Sequence, residues 1–249
     1  MAFDAQLALT TVQLSRIAYH PLAQVEHDLG MLVLGGSRPF SGASTQAFLA
    51  EDEQRRFLVF RGTESTNATD WIRDAEFRPV PGVFGTKVHS GFRRALDEVW
   101  DDVVPLASQT DRKLVLTGHS LGAGLAVLAA ARLAESGIPV ADVYTYGGPR
   151  NGLAPFAAAY NSRLGSSTYR VINSIDIVTR VPLLVQGYRH VGRRMYFAPS
   201  GDFHPDAGAW YIARDDLRAR LTHFGKIGAA GVLEHEITRY VERVKTIPA

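Results

Sequence analysis

The chain has 249 residues of ordinary globular composition, 46% hydrophobic and 21% charged, and its formal net charge is +2. So small a charge gives no argument for a nucleic-acid partner, and scattered basic pairs such as Arg193-Arg194 are interpreted as solvated surface. The absence of cysteine excludes disulfides and thiol chemistry.

No linker, charge block or repeat divides the sequence, so residues 1–249 are predicted to form a single domain. The first thirty residues carry Asp4 early and lack a long apolar core, which indicates an amphipathic helix rather than a signal peptide. No stretch approaches the length that a bilayer-spanning helix needs. The sequence as given therefore predicts a cytoplasmic protein, or a secreted one if an export signal has been removed.

Hydrophobic periodicity predicts alternating helices and strands along the chain. The predicted helices cover about 4–19, 90–107, 123–135, 156–162 and 237–244. The predicted strands cover about 46–50, 56–61, 114–117, 143–146, 169–173 and 195–197, the last as an edge strand. This alternation predicts an α/β fold with a mostly parallel central sheet flanked by helices.

The pentapeptide Gly118-His119-Ser120-Leu121-Gly122 carries the strongest chemical signal. It stands between an apolar strand and an alanine-rich helix, which is the strand, turn and helix context that a G-x-S-x-G nucleophile requires. Ser120 is therefore predicted to be a nucleophile. The backbone N–H of Leu121 is predicted to be one of the two donors that hold a developing oxyanion.

A serine nucleophile needs a histidine base, and that base needs a carboxylate, in the chain order Ser, acid, His. Asp176 follows the strand that ends at Asn173, where open α/β sheets place their sites; its alternative role is an Asx-turn. His235 precedes the terminal helix, from which an imidazole can reach back over the sheet, but on spacing alone His223 is a serious rival as the base. The other downstream histidines are His190 and His204.

Two further sites were considered. The loop Arg61-Gly62-Thr63 follows an apolar strand, so Thr63 is predicted to be the second oxyanion residue, with an ordinary turn as the alternative. Around His235 the zinc pattern H-E-x-x-H is broken, because Arg239 stands at its second histidine position. No metal and no cofactor are expected.

In combination these segments resemble the class 3 lipase family, the fungal-type triacylglycerol lipases and their bacterial relatives. The resemblance covers most of the chain. Its motifs are Phe60-Arg61-Gly62-Thr63 with Asp70-Trp71 and Asp74, then Lys87 to Phe92, Thr117 to Gly122, Gly147 to Gly152, Asn173 to Pro182, and His235 with Tyr240. The disulfides of fungal secreted members are absent, and the segment from His204 to Gly231 matches no part of the pattern.

The resemblance implies an α/β-hydrolase fold with a short helical lid at about 65–81. It further implies the triad Ser120, Asp176 and His235, the oxyanion residues Thr63 and Leu121, and the apolar lid residues Trp71, Ile72 and Phe77. The implied activity is that of a serine carboxylic ester hydrolase, a triacylglycerol lipase acting on acylglycerols at a lipid–water interface. The alternatives are a carboxylesterase for soluble feruloyl or short acyl esters, a phospholipase A1, and, remotely, a non-catalytic binding protein.

Overall fold

The computed structural model describes residues 2–32, 34–62, 78–108, 111–208, 211 and 231–248. In chain order the strands are β1 Gly35–Ser41, β2 Gln46–Glu51, β3 Arg55–Phe60, β4 Pro79–Pro81, β5 Lys87–His89, β6 Lys113–His119, β7 Asp142–Tyr146, β8 Gly152–Leu153, β9 Thr168–Asn173, β10 Tyr188–Arg189, β11 Arg193–Phe197 and β12 Phe203–Pro205. The helices are α1 Ala5–Ile17, α2 Leu22–Gly30, α3 Ser90–Asp97, α4 Trp100–Ser108, α5 Leu121–Glu135, α6 Ala154–Leu164 and α7 Ile237–Lys245.

Eight strands form the central sheet, in the order β1-β2-β3-β6-β7-β9-β11-β12. The neighbours from β3 to β11 are all parallel, and the outer strands β1, β2 and β12 are antiparallel. A smaller sheet has the order β10-β8-β5-β4. The prediction of a mostly parallel sheet is therefore confirmed.

Helices cover both faces of the central sheet and bury a hydrophobic core on each side. One core lies between the sheet and helices α1, α2 and α7. The other lies between the sheet and helices α3 to α6. The run from Phe57 to Phe60 is fully buried because β3 is covered on both faces, which explains why it is apolar throughout.

Several predicted elements are confirmed to within a few residues. Helix α1 begins after Asp4, whose carboxylate accepts the Leu7 N–H at 2.9 Å as an N-cap. The helix predicted over 90–107 is in fact two helices, α3 and α4, separated by a short break. Periodicity does not reveal the break because Phe92, Leu96 and Val103 are buried on both sides of it.

The prediction of an edge strand at 195–197 is wrong. Strand β11 is internal, because Phe203–Pro205 continues the sheet beyond it as an antiparallel edge strand. Helix α2 and strand β1 were not predicted. The segment 79–81, assigned to the end of the lid, forms strand β4 and pairs with β5, so the predicted lid ends before Pro79.

The candidate site lies at the carboxyl ends of four neighbouring strands. Gly62 follows β3, Ser120 follows β6, Gly147 follows β7 and Asp176 lies beyond the end of β9. Because these strands are parallel and adjacent, all four residues lie at the same edge of the sheet.

Candidate active site

Ser120 occupies a sharp turn between β6 and α5. Its backbone is in a strained conformation, with φ 58° and ψ −126°, and its N–H donates to the Tyr146 carbonyl oxygen at 3.0 Å. This conformation is uncommon for a residue other than glycine and is typical of a nucleophile lifted above the end of a sheet. The side chain is 1% exposed.

Two of the surrounding glycines are needed because the backbone passes too close for a side chain. A Cβ at Gly122 would lie 2.2 Å from the Phe60 carbonyl oxygen, so only glycine lets α5 start against the end of β3. A Cβ at Gly62 would lie 2.4 Å from the His119 carbonyl oxygen and 3.2 Å from the Ser120 Cβ. The loop that leads to Thr63 therefore passes directly beside the predicted nucleophile.

Asp176 and His235 form a buried pair. The Nδ1 of His235 lies 2.9 Å from Oδ2 and 3.0 Å from Oδ1 of Asp176, and the two residues are 1% and 0% exposed. Because a carboxylate accepts, Nδ1 carries the proton and Nε2 is left as the basic nitrogen. Within the described ranges His235 Nε2 is buried and has no hydrogen-bond partner.

Asp176 accepts two further hydrogen bonds. The Val178 N–H donates to Oδ1 at 2.8 Å, which is the Asx-turn considered as its alternative role, so this carboxylate does both. The Tyr240 hydroxyl donates to Oδ2 at 2.5 Å and accepts the Asn173 N–H at 3.1 Å. Burial, together with the neighbouring Asp176, raises the pKa of Tyr240 well above its usual value, so the phenol keeps the proton that it donates.

His119 links the histidine base to the nucleophile turn. Its ring stacks on that of His235, with centroids 4.5 Å apart and planes inclined by 28°. Its Nε2 donates to the His235 carbonyl oxygen at 2.7 Å, and its Nδ1 accepts from the Tyr19 hydroxyl at 2.8 Å. Since His119 directly precedes Ser120, these contacts connect the segment of His235 to the turn that carries the predicted nucleophile.

His119, Tyr19 and Tyr240 were not predicted to be parts of the site, although His119 and Tyr240 lie within the motifs given above. Burial lowers the pKa of His119 well below its usual value, and His235 lowers it further, so this imidazole is neutral. A buried histidine between two hydrogen-bonding partners has no sequence signature of its own. The position of His119 inside the pentapeptide was the only available signal.

The other candidate residues lie elsewhere. His190 donates to the Thr179 carbonyl oxygen at 2.7 Å, and His204 bonds the Tyr211 hydroxyl. Asp142 begins β7 at the opposite edge of the sheet, where burial and nearby Asp4 raise its pKa to about 6. His223 lies outside the described residues. The structure therefore pairs His235 with the predicted acid.

A cavity of about 240 Å³ adjoins the nucleophile turn, lined by Gly42 to Gln46, Arg61, Gly62, Leu121 and Leu125. Leu121 is the first residue of α5. Its backbone N–H therefore has no acceptor within the helix and is available to a ligand at the helix N-terminus. Thr63 and the lid residues Trp71, Ile72 and Phe77 lie outside the described residues, so the second oxyanion position and the lid remain predictions.

Among the described residues, no group of three or more His, Asp and Glu side chains is placed to hold a metal ion. Nor is any helix in that part of the chain both long and apolar enough to cross a membrane.

The sequence of residues 57–186 matches the model of the family described as Lipase (class 3). The chain belongs to the class 3 lipase family. A mono- and diacylglycerol lipase secreted by Fusarium solani is 35% identical over 189 residues, which are 73% of this chain and 55% of the relative. A lipase of Rhizomucor miehei is 36% identical over 165 residues, 61% of this chain and 45% of the relative.

The structure of this class 3 lipase family member is also similar to solved lipase structures. One is a triacylglycerol lipase whose catalytic centre is a serine protease triad; it is 29% identical, with a TM-score of 0.69 over 82% of this chain and 85% of that one. The predicted α/β-hydrolase fold is thereby confirmed. The chain spans about half the length of the curated relatives it matches.

Proposed function

We propose that this protein is a serine carboxylic ester hydrolase that acts on acylglycerols as a lipase. The observation that carries the proposal is the position of His235. Its Nδ1 is fixed by Asp176, its ring stacks on the neighbour of Ser120, and its Nε2 lacks a partner within the described chain. A histidine whose Nδ1 is fixed by a carboxylate and whose Nε2 is free can act as the general base for a hydroxyl group.

In this mechanism Ser120 Oγ attacks the acyl carbon while His235 Nε2 takes its proton. Asp176 holds the imidazole in the required tautomer and stabilises the imidazolium that forms. The N–H groups of Leu121 and Thr63 hold the oxyanion of the tetrahedral intermediate. His235 then returns the proton to the leaving alcohol, and water, activated by the same histidine, releases the fatty acid from the acyl-enzyme.

The Ser120→Ala variant tests the catalytic assignment. On p-nitrophenyl butyrate we expect kcat to fall by about a thousandfold or more, because removing a triad member leaves only binding and oxyanion stabilisation. Ser162→Ala, at an exposed serine of α6, is the matched control and should keep full activity. Labelling by a fluorophosphonate should disappear in the first variant only. Unchanged turnover in Ser120→Ala would refute the assignment.

The substrate surface is proposed to be a lipid–water interface. Leu183, Leu184 and Val185 are 52%, 53% and 90% exposed, and they follow the loop that carries Asp176. Three consecutive exposed apolar side chains at the site edge of a sheet are costly in water and favour contact with lipid. In an esterase that acts on soluble esters, these side chains would remain exposed to water.

Emulsified tributyrin and soluble p-nitrophenyl acetate distinguish these alternatives. The double variant Leu184→Ser with Val185→Ser should lose severalfold activity on the emulsion and none on the soluble ester. Met31→Ser removes an equally exposed apolar side chain, 75% exposed at the end of α2, and should change neither activity. Equal losses on both substrates would favour the esterase. Activity on phosphatidylcholine but not tributyrin would favour the phospholipase A1.

For location, we propose the secreted alternative rather than the cytoplasmic one. A relative from Fusarium solani and one from Penicillium cyclopium are both named as secreted lipases. Fractionation of the producing cells, with activity assayed in medium and lysate, tests this, and activity confined to the lysate would contradict it.

A further inference from the structure

Arg170 is a buried cation in the middle of the central sheet. It lies on β9, is 5% exposed, and its Nε has no hydrogen-bond partner within the described residues. Its strand neighbours Tyr169 and Val171 belong to the core beneath α1 and α7, so Arg170 points to the opposite face. Arg194 on β11 is its registered partner and therefore shares that face.

A third guanidinium approaches the same place from the loop after β7. The Arg150 N–H donates to the Val181 carbonyl oxygen at 2.8 Å, and its Nη1 donates to the carbonyl oxygens of Arg180 and Pro182, the latter at 2.6 Å. Its Nε, like that of Arg170, is buried and unpaired among the residues described. We call Arg150, Arg170, Arg194 and His190 the arginine cluster.

Repulsion from neighbouring guanidinium groups contributes to the lowered pKa values of Arg170 and His190. Burial lowers the pKa of Arg170 to about 9, and the charges of Arg194 and Arg150 lower it further. Burial also lowers the pKa of His190 well below its usual value, and the same three guanidiniums contribute. The pKa of Arg150 is lowered to about 10, and burial is the largest cause. All three arginines still carry their charge at neutral pH.

No carboxylate compensates this charge within the part of the chain that the structure describes. None of the ion pairs there involves a member of the arginine cluster. Arg193, next to Arg194, does pair with a carboxylate, that of Asp206 at 2.5 Å. Buried like charges on adjacent strands are destabilising unless an opposite charge joins them. Among the described residues the arginine cluster therefore has no negatively charged partner.

We propose that the arginine cluster is a binding site for a small oxyanion of the phosphate or carboxylate type. Guanidinium groups recognise such anions through paired N–H donors, and the unpaired Nε groups of Arg150 and Arg170 are donors of this kind. Arg150, Arg194 and His190 are half-buried, so these members of the cluster keep some contact with solvent. The proposed site is separate from the ester-hydrolysing residues.

An anion in this site would also fix the loop that carries Asp176. Arg150 holds the carbonyl groups of Arg180, Val181 and Pro182, and His190 holds that of Thr179. The Thr179 hydroxyl in turn donates to the Asp176 carbonyl oxygen at 2.8 Å. Neutralising the cluster therefore stabilises the folded state in the region behind the acid.

Thermal unfolding in inorganic phosphate, against sodium chloride of equal ionic strength at pH 7.5, tests the site. A ligand that binds only the folded chain raises Tm, here by about 5–10 °C at a hundredfold excess over its Kd. The same measurement is repeated in sodium sulfate and in sodium butyrate. Responses to phosphate and sulfate alone identify a tetrahedral anion as the occupant, and a response to butyrate identifies a carboxylate.

Arg194→Glu supplies the missing carboxylate from the chain itself. We expect it to raise Tm in chloride and to weaken phosphate binding at least tenfold. Arg38→Glu makes the same charge change at an exposed position of β1 and should bind phosphate as the unaltered protein does. If Arg194→Glu does not fold, Arg194→Gln should still weaken binding tenfold. Equal responses in all variants, or no response of the unaltered protein to any of the three anions, would overturn the proposal.

Discussion

The side-chain amide of Asn173 donates to both the backbone carbonyl oxygen of Glu234, at 2.9 Å, and its carboxylate, at 2.6 Å. Asn173 is the last residue of β9, and Glu234 directly precedes His235. The strand that leads to the acid is thus tied to the segment that supplies the base, across 61 residues of chain. We expect these hydrogen bonds to help position His235 against Asp176.

Replacing Asn173 by alanine should loosen the acid–base pair. We expect kcat on a soluble ester to fall about ten- to a hundredfold, because small displacements of catalytic groups cost this much. The free energy of unfolding should fall by about 1 kcal/mol, since the half-buried carbonyl group and carboxylate of Glu234 lose their donor. Glu234→Gln keeps both acceptors and is the control. Equal kcat values for Asn173→Ala and the control would show that the tie does not position the base.

The absence of a side chain at Gly147 leaves room for the contact between Asp176 and His235, and Gly147→Ala should disrupt that contact. A Cβ there would lie 2.8 Å from Asp176 Oδ2 and 2.9 Å from His235 Nδ1, and the backbone has φ +59°. Gly137→Ala is a matched control, because φ is +76° there and nothing lies within 4 Å of the added Cβ. Both variants should lose about 1–2 kcal/mol of stability from the left-handed backbone.

Only Gly147→Ala should also lose activity, by about a hundredfold or more in kcat, because its methyl group separates the acid from the base. Chemical denaturation and steady-state kinetics on the two variants measure these effects. The steric interpretation fails if the two glycine variants lose activity to the same degree.

His119→Phe keeps an aromatic ring against His235 but removes both hydrogen bonds of the imidazole. The His235 carbonyl group and the Tyr19 hydroxyl would each lose a partner, at a cost of about 1–3 kcal/mol per buried group. We expect kcat to fall about tenfold or more while KM changes little. Tyr19→Phe removes one of the two bonds and should have a smaller effect. A kcat equal to that of the unaltered protein would contradict a positioning role for His119.

His89 should make the stability of the protein depend on pH. Burial, with a contribution from Arg94, lowers its pKa from 6.5 to about 4, and its Nδ1 accepts the Gly91 N–H at 3.0 Å as the cap of α3. The unfolded chain then binds more protons than the folded chain between these values. The contribution is complete above pH 6.5 and is lost as the pH falls toward 4, by about 3 kcal/mol at most.

The variant His89→Asn checks this dependence, because asparagine can still cap the helix but does not titrate. In urea unfolding between pH 7 and pH 4, the free energy of unfolding of the unaltered protein should fall more steeply than that of His89→Asn, by up to about 3 kcal/mol at the acidic end. His119 and His190, whose pKa values are lowered in the same direction, leave a slope in both proteins. Parallel curves would contradict the assignment to His89.

The strands of the fold were predictable where the sequence has a clear pattern of apolar residues. The run from Phe57 to Phe60 is apolar because β3 is buried on both faces, and its position was identified closely. The edge assignment of β11 failed because Phe203–Pro205 is too short to carry a period of its own. Arg194 was interpreted as solvated surface, but it is half-buried because β12 and the register with Arg170 enclose it.

The sequence by itself indicated the chemistry that we propose and the order of the strands and helices. The turn around Ser120 is encoded within five residues, and its meaning follows from the strand before it and the helix after it. Local steric constraints and hydrophobic periodicity act over short stretches, so they can be derived from the sequence without coordinates.

Only the tertiary structure decided which distant groups meet. On spacing alone His223 was a serious rival of His235, and it is the contact with Asp176 that favours His235. The support from His119, Tyr240 and Asn173, and the collection of three arginines behind the acid loop, depend on strand order and register. These relationships form across many residues of chain through packing, and no local pattern in the sequence carries them.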